Sequence, residues 1–149
     1  MSGIFGMNIK MAIYGESHGK SIGVVLDGLP PGLALDEAAI AAEMARRAPG
    51  QNALSTARKE SDTVEIQSGF FNGFTTGTPL CARIVNSDQH SKDYSTLADK
   101  MRPGHADYAG HVRYQGFNDY RGGGHFSGRL TAPLVFAGAV AKQALAQHG

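Results

Sequence analysis

The sequence predicts an α+β fold, on three observations. Short apolar runs of strand type, residues 10–14, 22–26, 64–71 and 79–86, are joined in pairs by turn-rich connections, which is the pattern of antiparallel hairpins. Residues 36–47 carry a capped amphipathic helix. Residues 131–147 form a second helix whose first half is apolar all round.

The first strand pair flanks Gly15-Glu16-Ser17-His18-Gly19, and the stretch DGLPPGL then punctuates the chain. Asp36 is a good N-cap, Ile40 and Met44 share a face, and Asp36 with Glu37 at the start and Arg46 with Arg47 at the end complement the helix dipole. Residues 48–62 read as a long polar loop. NGFTTGT separates the second strand pair as a hairpin connection. Residues 87–130 read mostly as loop, with glycine, histidine and arginine interleaved, and a loop of that length with that content points to function. Ser127 or Thr131 could cap the last helix, and Pro133 suits its first turn. An all-apolar helix needs cover on several sides, so it should lie between layers or against another chain.

Composition narrows the classes. The chain has 149 residues, enough for one domain or part of a larger one, with 42% hydrophobic and 18% charged residues. A net charge of +1 argues against a nucleic-acid-coating role. The lone cysteine, Cys81, forms no intrachain disulfide, reads as a small buried hydrophobe, and suits a reducing, cytoplasmic setting. The N-terminus shows no secretory pattern. The longest apolar run, 132–141, is broken by Pro133 and too short to span a bilayer, so no membrane partner is expected. Twenty glycines, in clusters separated by apolar runs, suggest tight turns and close backbone approaches.

Four features could carry chemistry. Gly15–Gly19 fits the G-x-S-x-G elbow of serine hydrolases, with Ser17 as nucleophile, but an elbow needs a helix after the serine and KSIGVVLDGLPPG is strand-like. His18 and His105, set among Gly, Ser and Arg, suit acid–base work, the bland alternative being loop caps. His105 and Asp107 invite a metal reading, but no recognised ligand spacing supports one, so none is expected. Arg46, Arg47, Arg102, Arg121 and Arg129 sit at helix ends or in glycine loops, where arginine binds phosphate or carboxylate, although Arg46 and Arg47 also serve the helix dipole. YRGGGHFSGRLTAP runs three glycines towards a buried helix start, an arrangement able to cradle an anion.

Taken together, GESHGKSIGVVLDGLPPGL, RRAPGQNALSTARKESDTVEIQSGFFNGFTTGTPL, NSDQHSKDY, RPGHADY and DYRGGGHFSGRLTAP resemble, in this order and over nearly the whole chain, the chorismate synthase family. The resemblance implies a layered β-α-β sandwich, antiparallel sheets flanking central long helices, assembled as a homotetramer. It implies a lyase that eliminates phosphate from 5-enolpyruvylshikimate 3-phosphate (EPSP) to give chorismate. It implies reduced FMN (FMNH2) as the required cofactor and NADPH as a candidate reductant. It implies His18 and His105 as the catalytic histidines, Ser17, Arg47, Arg102 and Arg129 as substrate-binding residues, and His125, Phe126 and Ser127 as flavin contacts. Ser17 is then a polar contact beside His18.

Departures accompany the match. Many members carry arginine where Ala48 stands, a basic residue at Ala53, and R-S-S-A-R-E where His125–Leu130 read HFSGRL, which puts in doubt any role needing charge at 48, 53 or 125. Family members are more than twice as long. Residues 1–149 are therefore expected to be the N-terminal part of a single chorismate synthase domain, its C-terminal part absent, and inactive or nearly so alone. Two rival classes remain: a serine hydrolase using Ser17, and a non-catalytic ligand-binding or assembly fragment.

Overall fold

The computed structural model describes residues 3–48, 62–87 and 100–147. Ala53 and most of the polar loop after residue 48 lie outside them, as do residues 88–99 of the long loop. The described residues form one five-stranded antiparallel sheet with two helices laid on one face, an α+β arrangement. This supplies one sheet layer and one helix layer of the expected sandwich.

The sheet order is β1 (Ile4–Phe5), β2 (Lys10–Gly15), β3 (Ser21–Asp27), β7 (Leu80–Val85), β4 (Val64–Ser68). β2 and β3 are the expected pair around the GESHG turn, in register from Lys10–Asp27 to Gly15–Ile22. Alternation sets the core face. Ile22, Val24 and Leu26 of β3 stand opposite Ile84, Ala82 and Leu80 of β7, and all six are buried. Met11 and Ile13 of β2, and Val64 and Ile66 of β4, pack against this set from either side. Cys81 points to the opposite face and is half-buried, so it is not the fully buried hydrophobe its sequence context suggested.

The second strand pair is interrupted. A bulge between Ile66 and Ser68 ends regular pairing of β4 with β7. The chain then folds a separate hairpin, β5 (Phe70–Phe71) against β6 (Phe74–Thr75). NGFTTGT is therefore not one hairpin loop: its middle forms β6.

Helix α1 (Glu37–Arg47) starts where the sequence placed it, with the Asp36 side chain accepting from the N–H groups of Ala38 (2.8 Å) and Ala39 (3.1 Å). Ile40 and Met44 are its buried positions. The stretch 100–130 holds an unanticipated helix, α2 (Asp107–Arg113), which no side chain caps. A short turn over Gly128–Leu130, whose Arg129 N–H donates to Ser127 Oγ, leads into α3 (Thr131–Ala146).

α3 packs on β3 and antiparallel to α1. At one end Gln143 brackets Asp36, accepting from its N–H (2.7 Å) and donating to its carbonyl (3.1 Å), while Lys142 pairs with Glu43. At the other end Arg47 Nε donates to Thr131 Oγ1 (3.3 Å). This pairing carries the C-terminal end of α1 to the start of α3. α3 buries Ala132, Pro133, Phe136, Ala137, Ala139 and Val140, while Leu134 and Leu145 stay exposed. Its apolar character is thus only partly used against the sheet and α1. Phe136 is 1% exposed and central to the core. Phe136→Ala should destabilise the fold by about 3–5 kcal/mol, read as a lower midpoint with unchanged slope in urea denaturation.

Candidate active site

The β2–β3 turn is short and no helix follows it: Gly19 N–H donates to Glu16 O (3.0 Å) and β3 begins at Ser21. A nucleophile elbow needs strand, sharp turn and helix. The local geometry here is that of a hairpin. It places Ser17 and His18, both buried, at the end of the sheet.

A glycine turn closes over them. Gly122, Gly123 and Gly124 have φ of 57°, 85° and 56°, the left-handed region where a side chain is strained. Space is the second reason for glycine. A Cβ on Gly122 would lie 2.3 Å from the His18 ring and 3.0 Å from Ser17 Oγ. A Cβ on Gly123 would lie 2.7 Å from the ring of His105 and 3.4 Å from Arg102. Consecutive glycines therefore touch the two histidines picked out in the sequence, although 87 residues separate them in the chain. The turn is pinned to the hairpin by two bonds: Ser17 N–H donates to Gly124 O (3.1 Å), and His125 Nδ1 donates to Gly15 O (2.8 Å). The three glycines do not lead directly into a helix start. α3 begins seven residues after the last of these glycines, and their bareness serves close approach to imidazoles.

His105 is oriented by an acid. Asp107 Oδ1 lies 2.6 Å from His105 Nδ1 and Arg102 Nη2 lies 3.3 Å from the same atom, so the two groups hold the ring with Nε2 on the side of Gly123. The same carboxylate takes both Arg102 Nε (2.8 Å) and Nη2 (2.9 Å), and Arg102 N–H (3.0 Å). Those hydrogen bonds to Arg102 hold the Asp107 carboxyl far below the usual carboxylate range against the effect of burial. Asp107 thus accepts from Arg102 and lies against His105, and among the described residues no group of three or more His, Cys, Asp and Glu side chains could hold a metal ion.

The remaining two substrate-binding candidates meet on one carboxylate. Arg47 Nη1 bonds Asp62 Oδ2, and Arg129 Nη1 bonds Asp62 Oδ1. The Arg129 and Asp62 side chains are 5% and 3% exposed. Arg129 Nε also donates to Asn86 Oδ1 (3.3 Å), and Asn86 Nδ2 donates to Glu16 O (3.0 Å) and Gly19 O (2.9 Å) in the GESHG turn. Asp62 and Asn86 had no assigned role in the sequence. Their partners lie up to 70 residues away, and no local pattern marks them.

The three flavin-contact candidates lie in one stretch but face different ways. His125 bonds Gly15, Phe126 packs on Gly110 and Tyr114, and Ser127 Oγ caps the turn before α3. Of the other arginines, Arg46 pairs with Glu43 at the surface, and Arg121 makes a two-pronged pair with Asp119 (2.9 and 2.7 Å). Those bonds lower the Asp119 carboxyl, while burial and then the nearby Asp119 raise that of Glu16. Glu16, Asp119, His125, Tyr114, Phe117 and Phe126 border a cleft of about 510 Å³ on this side of the hairpin.

Asp107 makes the acid limb of stability specific. Its carboxyl is depressed when folded, so the stability it contributes is present above its ordinary value of 3.8 and lost as the pH falls below it. Asp107→Asn should lower stability at pH 7 and flatten its decline between about pH 4 and pH 2, measured by urea denaturation across that range.

Against known proteins, the family model described as chorismate synthase matches residues 9–149. The chorismate synthase of Cytophaga hutchinsonii is 52% identical over 147 residues, covering 99% of this chain and 41% of that protein. That of Bordetella petrii is 58% identical over 135 residues, covering 91% and 38%. A crystal structure of chorismate synthase matches with a TM-score of 0.65 at 30% identity, covering 96% of this chain and 35% of that one. The chain thus spans about two fifths of the length of the curated relatives it matches. On its sequence and its fold alike, this chain belongs to the chorismate synthase family.

Proposed function

We propose that the protein carrying this chain is a lyase that converts EPSP to chorismate and phosphate, with reduced FMN as cofactor. The observation that carries the proposal is the meeting of His18 and His105 on adjacent glycines, beside three arginines that each hold a carboxylate. The elimination breaks the C3–O bond to phosphate and removes a hydrogen from C6, with no net oxidation. The substrate carries one phosphate and two carboxylates, so it needs a cationic, partly desolvated site. Arg47, Arg102 and Arg129 are the substrate-binding arginines of this reading.

The residues present fit a flat, electron-rich heterocycle with acidic protons. The buried Ser17 Oγ makes no hydrogen bond among the described residues, and the bare glycine turn brings two imidazoles to one surface. When bound, reduced FMN would supply electron density that assists departure of phosphate and is returned. His18 and His105 would hold or move protons, His105 through Nε2, since Nδ1 faces Asp107 and Arg102. Ser17 would be a polar contact, and His125, Phe126 and Ser127 would border the cofactor. NADPH as reductant, a cytoplasmic setting and a homotetramer belong to the same reading. The activity is proposed for the protein at the length of its relatives.

The test is anaerobic. The full-length protein carrying this sequence, mixed with reduced FMN and EPSP, should release chorismate and phosphate in equal amounts, and no product would sink the proposal. His18→Ala and His105→Ala should each slow turnover about 10²- to 10⁴-fold, and wild-type rates would remove them from acid–base work.

A further inference from the structure

We propose that Asp62 and Asn86 are positioning residues that hold Arg129 between the two halves of the site, which rests on the reading of Arg129 and His18 given above. Each acts through a partner.

Asp62 is a two-sided clamp. One oxygen takes Arg47, from the end of α1, and the other takes Arg129, from the turn before α3. One buried carboxylate thus gathers two guanidiniums at one place. Without the carboxylate, the buried Arg129 and the half-buried Arg47 would repel each other and part. Asp62 therefore sets the spacing of the pair that meets the anion.

Asn86 is the link to the histidine. Its amide orientation is chemically determined. Arg129 can only donate, so Oδ1 must face it, and the carbonyls of Glu16 and Gly19 can only accept, so Nδ2 must face them. The Asn86 N–H also donates to Lys20 O (3.2 Å). A single side chain at the end of β7 thus joins an anion-binding arginine to the backbone on both sides of Ser17 and His18.

The two residues make separable predictions in the full-length protein. Charge alone would make Asp62→Asn bind anions more tightly. Positioning makes it bind them more weakly. Asp62→Asn should raise the Kd for inorganic phosphate, measured by calorimetry, and the KM for EPSP by about tenfold or more, with kcat within about threefold. Asp62→Glu keeps the charge but lengthens the arm, and should raise the same two constants by a smaller factor, which preserves the test if Asp62→Asn fails to fold. Asn86→Asp keeps the acceptor for Arg129 but turns an acceptor towards two carbonyls. It should lower kcat by about tenfold or more and shift the pH profile of kcat, with phosphate affinity within about threefold of wild type. Tighter or unchanged phosphate binding in both Asp62 variants would overturn the clamp, and an unchanged kcat in Asn86→Asp would overturn the link. The phosphate measurement needs no turnover, so a wild-type protein that fails to consume EPSP would defeat the proposed function and still leave the clamp to be judged.

Discussion

The site depends on a steric constraint: there is no room for a side chain at Gly122 or Gly123. A methyl group at either position would enter an imidazole ring. Both residues also need positive φ, so glycine is required twice over, by conformation and by contact. The turn they form lets the GESHG hairpin and the His105 loop approach from its two sides. Sheet, turn and α2 then become one unit, because Ser17, Gly15 and Gly110 each touch the segment Gly122–Phe126.

The charges of that unit are arranged in matched pairs. Arg102 has Asp107, Arg121 has Asp119, and Arg47 and Arg129 share Asp62. Such pairing keeps buried or half-buried cations in fixed positions, where a dissociable surface arginine would sample many. Buried ion pairs are weak sources of stability, since desolvation offsets much of the attraction, but removing one partner from a buried pair costs roughly 3–5 kcal/mol. Pairing of this kind therefore favours geometry over net stability. Among the described residues, Asp62 is the carboxylate that Arg47 and Arg129 share.

Local pattern explains what the sequence made legible. Asp36 caps α1 because its carboxylate reaches N–H groups two and three residues ahead, and strand alternation in β3 is visible within seven residues. Type and context single out His18 and His105 among glycines, Arg47 at a helix end and Arg129 ahead of a helix, and the family resemblance implies their roles. The misses share a different physics. α2 has no side-chain cap and is only seven residues long, so neither periodicity nor capping announced it. β6 hides in a segment rich in glycine and threonine. Asp62 and Asn86 take their meaning from partners 15 to 70 residues away, and only the antiparallel pairing of α1 with α3 and the sheet order bring those partners in.

The serine of G-x-S-x-G shows how the same residues change role with their surroundings. In a strand–turn–helix context the hydroxyl stands free and the following helix start stabilises an oxyanion. Here the chain returns at once as β3, Ser17 N–H is bonded to Gly124, and its side chain lies 1% exposed against the glycine turn. The turn that would expose a nucleophile instead encloses it. What the hairpin presents to the glycine turn is the imidazole one residue later, and the bonds of Asn86 to the carbonyls of Glu16 and Gly19 fix the backbone on either side of it. The pattern is thus met by a hairpin turn that sets the His18 ring against Gly122, with Ser17 as its buried polar neighbour.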